Sequence, residues 1–179
     1  LDFRRLRDRV SLLENLNQQS IHLEKAGETH QLDRYQEMVA NLLLDPTVKD
    51  AFDVHSADPA LQERYGRNSF GWSLLLARQL VEAGVRCVTV DHSNWDTHFH
   101  NFRVLKEDLL PKFDKAIPTF FRDLDNRGLL KNTVVVMTGE FGRTPKINKD
   151  AGRDHWSRGF TVAIGGGGVQ GGRIVGKSD

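Results

Sequence analysis

The run TVVVMT, residues 133–138, is β-branched and apolar along its length, so both of its faces call for cover. Strands that are apolar on both faces belong to the interior of parallel sheets, where helices lie on either side. Upstream of it, FRVLKEDLL (102–110) and KFDKAIPTFFRDLDNR (112–127) read as helix, interrupted or kinked at Pro111 and Pro118 and terminated by Gly128. Further back, VRCVTV (85–90) is a second buried run that leads into a polar turn. A strand, a helical crossover and a second strand make a parallel βαβ unit. A third strand, FTVAI (160–164), follows only after the aperiodic connection 139–158, and connections that long inside a domain are usually functional.

The first half of the chain is helical in pattern. Phe3, Leu6, Val10, Leu13 and Leu16 recur at three- and four-residue steps, as do Leu32, Tyr35, Val39 and Leu42. Between these stripes, Gly27 and Thr29 suggest a turn and a new helix start. Asp45-Pro46 and Asp58-Pro59 pair a capping carboxylate with Pro at the first helical position, and Gly66 closes the second of these helices. Ser69 is then expected to cap the helix FGWSLLLARQLVEA (70–83), with Gly84 as its stop. The expected organisation is a helical N-terminal region, residues 1–65, packed on an α/β core, residues 66–179.

The 179 residues suffice for a real core without metal or disulfide. A formal charge of +1 with interleaved signs gives no reason to expect nucleic acid or an anionic membrane as partner. Cys87, the single cysteine, excludes an internal disulfide and reads as a buried filler. No apolar run approaches the length of about 18 to 20 residues that a membrane span needs. The opening LDFRRLRDRV has neither an initiator Met nor the pattern of a signal peptide, as expected of a stretch from inside a larger protein.

Two polar clusters fall at strand ends, where ligands of parallel α/β sheets gather. NWDTHFHN (94–101) follows the first strand, and the connection after the second carries Glu140, Arg143, Arg153, Asp154 and His155. Asp96 and His98 face the same way if the segment is extended, whereas Asp96 and His100 share a face if a helix has begun. Either pair offers a carboxylate oxygen and an imidazole nitrogen to one ion, and such mixed sets suit zinc, manganese or iron better than calcium. Asp91 and His92 lie just upstream and could touch the ion, support its ligands or merely be exposed. The plain alternative is that Asp and Asn cap the next helix, that Glu140 and Arg143 are surface charges, and that Asp154-His155 is a loop ion pair. GGRIVGKS (171–178) matches a phosphate-loop string, but its RIV reads as a short strand and no helix follows to receive a phosphate. The run Gly165–Gly168 reads instead as a tight turn between edge strands.

Taken together, NWDTHFHNF, VVVMTGEFGRTPKIN, GRDHW and GGGGVQGGRIVGKSD resemble, in order and spacing, the bacterial family known as Domain of Unknown Function 1501. The likeness is strong from YGRNSFGWSLLLARQLVEAGVRCVTV onward and weaker before it. That family in turn resembles the alkaline phosphatase and sulfatase superfamily. The resemblance implies part of a three-layer α/β/α sandwich with a mostly parallel sheet and one or two divalent metals at the strand ends. It also implies hydrolysis of phosphate or sulfate esters, and thus a small anionic, phosphorylated or sulfated substrate. The implied ion is zinc first, with manganese, calcium or magnesium as alternatives. The implied ligands are drawn from Asp96, His98, His100, Glu140, Asp154 and His155. Arg143 or Arg153 would neutralise the anionic group by paired hydrogen bonds.

One departure stands out. MTGEFG occupies the place of the superfamily's Thr-x-Asp-His-Gly, so Glu140 supplies the acid while Phe141 replaces an imidazole, and a phenyl ring binds no metal. The superfamily's first strand, with its metal-binding Asp and nucleophile, has no counterpart here, so this stretch alone is expected to be inactive. A secreted or periplasmic parent is a further implication of the likeness. Three readings follow: a truncated metal-dependent ester hydrolase, a non-catalytic protein that binds a ligand or polysaccharide, or an interaction module whose helical N-terminal region pairs with another chain.

Overall fold

Asp58-Pro59 starts a helix for the reason its residues supply. In the computed structural model, which describes Ser11, Arg34, Gln36, Val39 and residues 46–177, Asp58 Oδ1 accepts a hydrogen bond from the Ala60 amide at 2.9 Å. The chain divides between Asp53 and Val54 into two units. In the first, the described helix is α1, Pro46–Ala51, with Val48 and Ala51 buried. The stripes from Phe3 to Leu16 and from Leu32 to Leu42, and the turn at Gly27, lie outside the described residues apart from Val39.

The second unit is built on three helices. In α2, Pro59–Tyr65, the Asp58 cap and the leading Pro satisfy the amino end, and Gly66 turns the chain with φ of 102°. In α3, Ser69–Glu82, the cap is Asn68, one residue before the expected Ser69, with its Oδ1 accepting from the Gly71 amide at 3.1 Å. Gly71 is needed for close approach, because a Cβ there would fall 2.2 Å from the Tyr65 carbonyl oxygen. After a loop, α4 (Asn101–Val104) runs through a π-helical turn (Leu105–Leu109) into α5, Leu110–Asn126. Pro111 does not interrupt this run, since the wide turn has already broken the usual hydrogen-bond ladder where its missing N–H would matter. Gly128, with φ of 68°, ends it.

Residues four apart on these helices make the core. Leu61 and Tyr65 of α2, Phe70 and Leu74 of α3, and Ala116, Phe120 and Leu124 of α5 are all buried in one cluster. Each large apolar side chain so buried contributes about 1.5–3 kcal/mol. A charged network lies in the same seam. Asp123 Oδ2 accepts from Tyr65 Oη at 3.0 Å and from Arg78 Nε at 2.9 Å, and its other oxygen accepts from Arg127 Nε at 2.9 Å. Glu82 ties the two arginines together, at 2.5 Å from Arg78 and 2.6 Å from Arg127. Burial, with Asp123 beside it, pushes the Tyr65 phenol well above its ordinary range.

The sheets correct the expected fold class. β1 (Val134–Thr138) pairs antiparallel with β4 (Val162–Gly166), Val136 opposite Ile164, and β2 (Gly142–Arg143) pairs antiparallel with β3 (His155–Trp156). The architecture is mixed, helices plus two small antiparallel sheets, and not a three-layer sandwich with a mostly parallel sheet. The physical reason lies in the connection 139–158, which folds through β2 and β3 and returns the chain alongside β1 in the opposite direction. Only one face of β1 is covered: Val135 packs on the helical core, while Val134 and Val136 stay 57% and 56% exposed.

Residues 85–90, expected as a parallel partner, join no ladder; Val88 and Val90 reach the core as partly buried side chains, and Cys87 is exposed, not buried. RIV (173–175) is no strand, and Ile174 and Val175 lie open to solvent. Gly166, at the end of β4, and Gly167 and Gly168 in the turn after it all take positive φ, and no helix appears among residues 171–177 to hold a phosphate. No helix of the described residues is long and apolar enough to cross a membrane.

Candidate metal centre

The loop between Asp91 and His100 enters no helix, and near Asp96 it is drawn tight by local bonds from the Thr97 amide to Trp95 O (2.9 Å) and from the His98 amide to Asp96 O (3.1 Å). Its downstream limb is stitched to the stretch 148–153. The Arg153 amide donates to Thr97 O at 3.1 Å, the His100 amide to Asp150 O at 3.0 Å, and Phe99 faces Ala151 in an isolated antiparallel bridge. The turn itself is organised by Asn148, whose Oδ1 accepts from the amides of Asp150 and Gly152. Its Nδ2 donates to His98 O at 3.1 Å and to Asp154 Oδ1 at 3.0 Å.

This stitching brings three ligand atoms together. His155 Nε2 lies 2.8 Å and His98 Nε2 3.0 Å from Asp96 Oδ1, and the two imidazole nitrogens are 3.1 Å apart. Among the described residues, Asp96, His98 and His155 form the group able to hold an ion. Arg143, whose place on β2 is opposite His155 on β3, sets its Nη1 2.5 Å from the same Asp96 oxygen. That contact is ionic more than directional, because Nη1 meets no acceptor in hydrogen-bonding alignment. His155 and Arg143 together hold the Asp96 carboxyl down at about 2, so it is ionised.

The far side of His98 fixes what its near side can do. Nδ1 lies 2.9 Å from Asp154 Oδ1, and hydrogen bonds from His98 and Asn148 lower the Asp154 carboxyl, leaving it an acceptor. Nδ1 must therefore carry the hydrogen. In the neutral ring, Nε2 then presents a lone pair to the anionic oxygen of Asp96. That lone pair can be met by the His155 Nε2–H, 3.1 Å away, by an added proton or by a metal ion. A carboxylate behind a histidine is also the usual support of a metal ligand.

The donor set fits a divalent ion. Bonds of about 2.0–2.1 Å at tetrahedral angles separate ligand atoms by about 3.3 Å, so these three atoms need to spread by only a few tenths of an ångström. Two imidazoles and one carboxylate suit zinc, and equally an octahedral iron or manganese with open positions. Asp154 thus stands behind His98 and is not among the converging atoms. His100 is exposed before α4, with φ of 48°, and Glu140 is exposed beyond β1; neither joins the group. Arg153 instead donates to Thr144 O at 3.1 Å and lies over the Phe102 ring at 5.4 Å.

Two residues contribute in ways the sequence does not signal, Phe141 reading there only as a lost ligand. Phe141 packs its ring 4.4 Å from that of His155, and Asn148 governs the turn; only the Asn-x-x-x-Gly spacing in NKDAG (148–152) hints at the latter. Beside Asp154 opens a pocket of about 330 Å³ lined by Thr144, Lys146, Ile147, Asn148 and Lys149, which puts further positive charge next to the cluster. Replacing Asp154 by Asn keeps the shape and removes the anion behind His98. Zinc affinity, read by competition with a chromogenic chelator, is expected to fall about 10–100-fold. Unchanged affinity would remove Asp154 from the site.

A family model described as Protein of unknown function (DUF1501) matches residues 1–179. No curated protein matches, and no solved structure does.

Proposed function

The chain belongs to the DUF1501 family of proteins of unknown function along its whole length, and from that premise we propose that it is part of a metal-dependent hydrolase of phosphate or sulfate esters. The observation that carries the proposal is the convergence of Asp96 Oδ1, His98 Nε2 and His155 Nε2, with Asp154 Oδ1 2.9 Å from His98 Nδ1 on the far side of the ring. Asp96, His98 and His155 would hold the ion, zinc by preference. When bound, a divalent ion at such a centre supplies Lewis-acid polarisation of an ester oxygen.

The remaining roles belong to the chain's own side chains. Arg143 neutralises the anionic group of the ester, since its guanidinium already stands against the metal-facing oxygen of Asp96. Lys146, on the neighbouring pocket, adds to the field that draws an anion in. Phe141 shields one face of His155, and Asn148 and Asp154 hold the loop and the His98 ring in place. The likeness to the alkaline phosphatase and sulfatase superfamily enters here as chemistry alone, one cation facing one anionic ester.

A second reading has one observation in its favour. Phe141 packs an apolar ring 4.4 Å from that of His155, at the position that the superfamily likeness would give to a further imidazole for a second ion. A single-ion centre suits a non-catalytic protein that binds a phosphorylated or sulfated ligand such as a polysaccharide. Elemental analysis of the purified protein beside the Asp96→Ala/His98→Ala/His155→Ala variant tests the common part. Stoichiometric metal in the wild type that is lost in the variant supports the centre, and equal metal in both sinks it. Turnover of aryl phosphates or sulfates by the metal-loaded parent protein then separates hydrolase from binder.

A further inference from the structure

The upstream limb of the ligand loop is held in a different way from the downstream limb. Among the described residues, no backbone hydrogen bond joins residues 91–95 to another element, and the Ser93 hydroxyl donates only to Asp91 of the same loop, at 2.6 Å. What fastens this limb is a stack of rings. His92 lies parallel to Phe70 of α3 at 3.8 Å between centroids and 11° between planes, and parallel to Phe113 of α5 at 6.5 Å and 6°. Trp95 closes the arrangement edge-on, 5.4 Å from His92 and 6.0 Å from Phe113. Offset parallel and edge-on pairs about 4.5–7 Å apart are attractive arrangements of aromatic rings, and the Phe70–His92 pair adds close face-to-face contact. The residue after Trp95 is Asp96, whose oxygen is shared by His98, His155 and Arg143.

We propose that His92 and Trp95 are positioning residues: an aromatic clasp that docks the loop on α3 and α5 and so sets where Asp96 stands relative to His98 and His155. His92 acts here as a flat ring. Its Nδ1 is buried without a hydrogen-bond partner, so the polar atom contributes nothing to the hold and a phenyl ring of similar shape can replace it. The use of the loop as a metal clamp rests on the reading above, whereas the docking itself does not.

The test uses the full chain with His92→Ala, His92→Phe and Trp95→Leu, read by amide hydrogen exchange and by zinc titration. In His92→Ala and Trp95→Leu the amides of Thr97 and His98 are expected to exchange about ten-fold faster or more, with α3 and α5 keeping their protection. His92→Phe is expected to match the wild type. Zinc affinity should follow the same order, about ten-fold weaker in the first two variants and restored in the third. Exchange within two-fold of wild type in both Ala and Leu variants overturns the clasp, as does a Phe variant that exchanges as fast as the Ala variant. Absence of zinc uptake by the wild type counts against the metal reading alone, because the exchange data still decide the clasp.

Discussion

Gly152→Ala is expected to pull apart the candidate metal site while sparing the helical core. A Cβ at this position would stand 1.8 Å from the carbonyl oxygen of His98, 2.0 Å from its carbon and 2.6 Å from the Phe99 nitrogen. All three are backbone atoms, so no side chain can swing aside, and the stretches 96–100 and 148–153 must part. Parting them breaks the bond from the Arg153 amide to Thr97 O and the bridge between Phe99 and Ala151. His98 is then drawn off Asp154 on one side and off His155 on the other. Zinc affinity should drop by about a hundred-fold or more, since supporting contacts alone are worth 10–100-fold and here a ligand itself moves. Forcing the extra carbon into closed packing costs about 1–3 kcal/mol of stability as well. Chelator competition and urea unfolding, run side by side, check both numbers. Wild-type affinity in a folded Gly152→Ala protein would show that this close approach does not hold the site.

Asp123→Ala should cause the largest loss of stability. Asp123 takes hydrogen bonds from Tyr65, Arg78 and Arg127, with 11% of its side chain exposed, and Arg78 is buried to 5%. Removing the acid leaves a guanidinium in the helical seam with only Glu82 to answer it. Breaking a buried pair on one side costs about 3–5 kcal/mol. For a chain of this length that lowers Tm by about 6–20 °C. Desolvation explains the size of the effect better than attraction does, which a second variant makes visible. Tyr65→Phe/Arg78→Met/Asp123→Leu removes the two buried charges of the seam together, leaves the more exposed Glu82–Arg127 pair, and should melt far closer to wild type than Asp123→Ala. Should the single variant melt within 2 °C of wild type, roughly the span that 1 kcal/mol covers, the network contributes little.

Local chemistry was the legible part. The cap at Asp58-Pro59, the glycines at 66 and 128 and the helical reading of residues 70–83 depend on neighbours within a turn or two, and they lie where the residues say. Partner choice was not legible. The unbroken apolar run of Val134–Thr138 calls for two covered faces but has only one, and nothing in TVVVMT states whether its neighbour runs with it or against it. The same gap misplaced Cys87, which follows a run of strand type into a segment that pairs with nothing.

In the candidate site the choice between two-residue and four-residue spacing turned on where the helix starts. It starts at Asn101, so Asp96 and His98 meet on one side of an extended loop and His100 faces elsewhere. The meeting of His98 with His155, and of Asp96 with Arg143, depends on a fold-back through Asn148 and Gly152 that no spacing rule encodes.

The bond from His155 to Asp96 spans 59 positions of sequence, and the intervening chain includes the whole of α5 and β1. An ion gripped by both residues therefore acts as a reversible cross-link around that loop. Closing a loop of this size is slow to pay back during folding, so the ion meets its full ligand set only after α5 and β1 have docked. Its stabilisation would then fall on the unfolding rate and leave the folding rate almost untouched, so that a metal bound there would act as a kinetic latch on the native state.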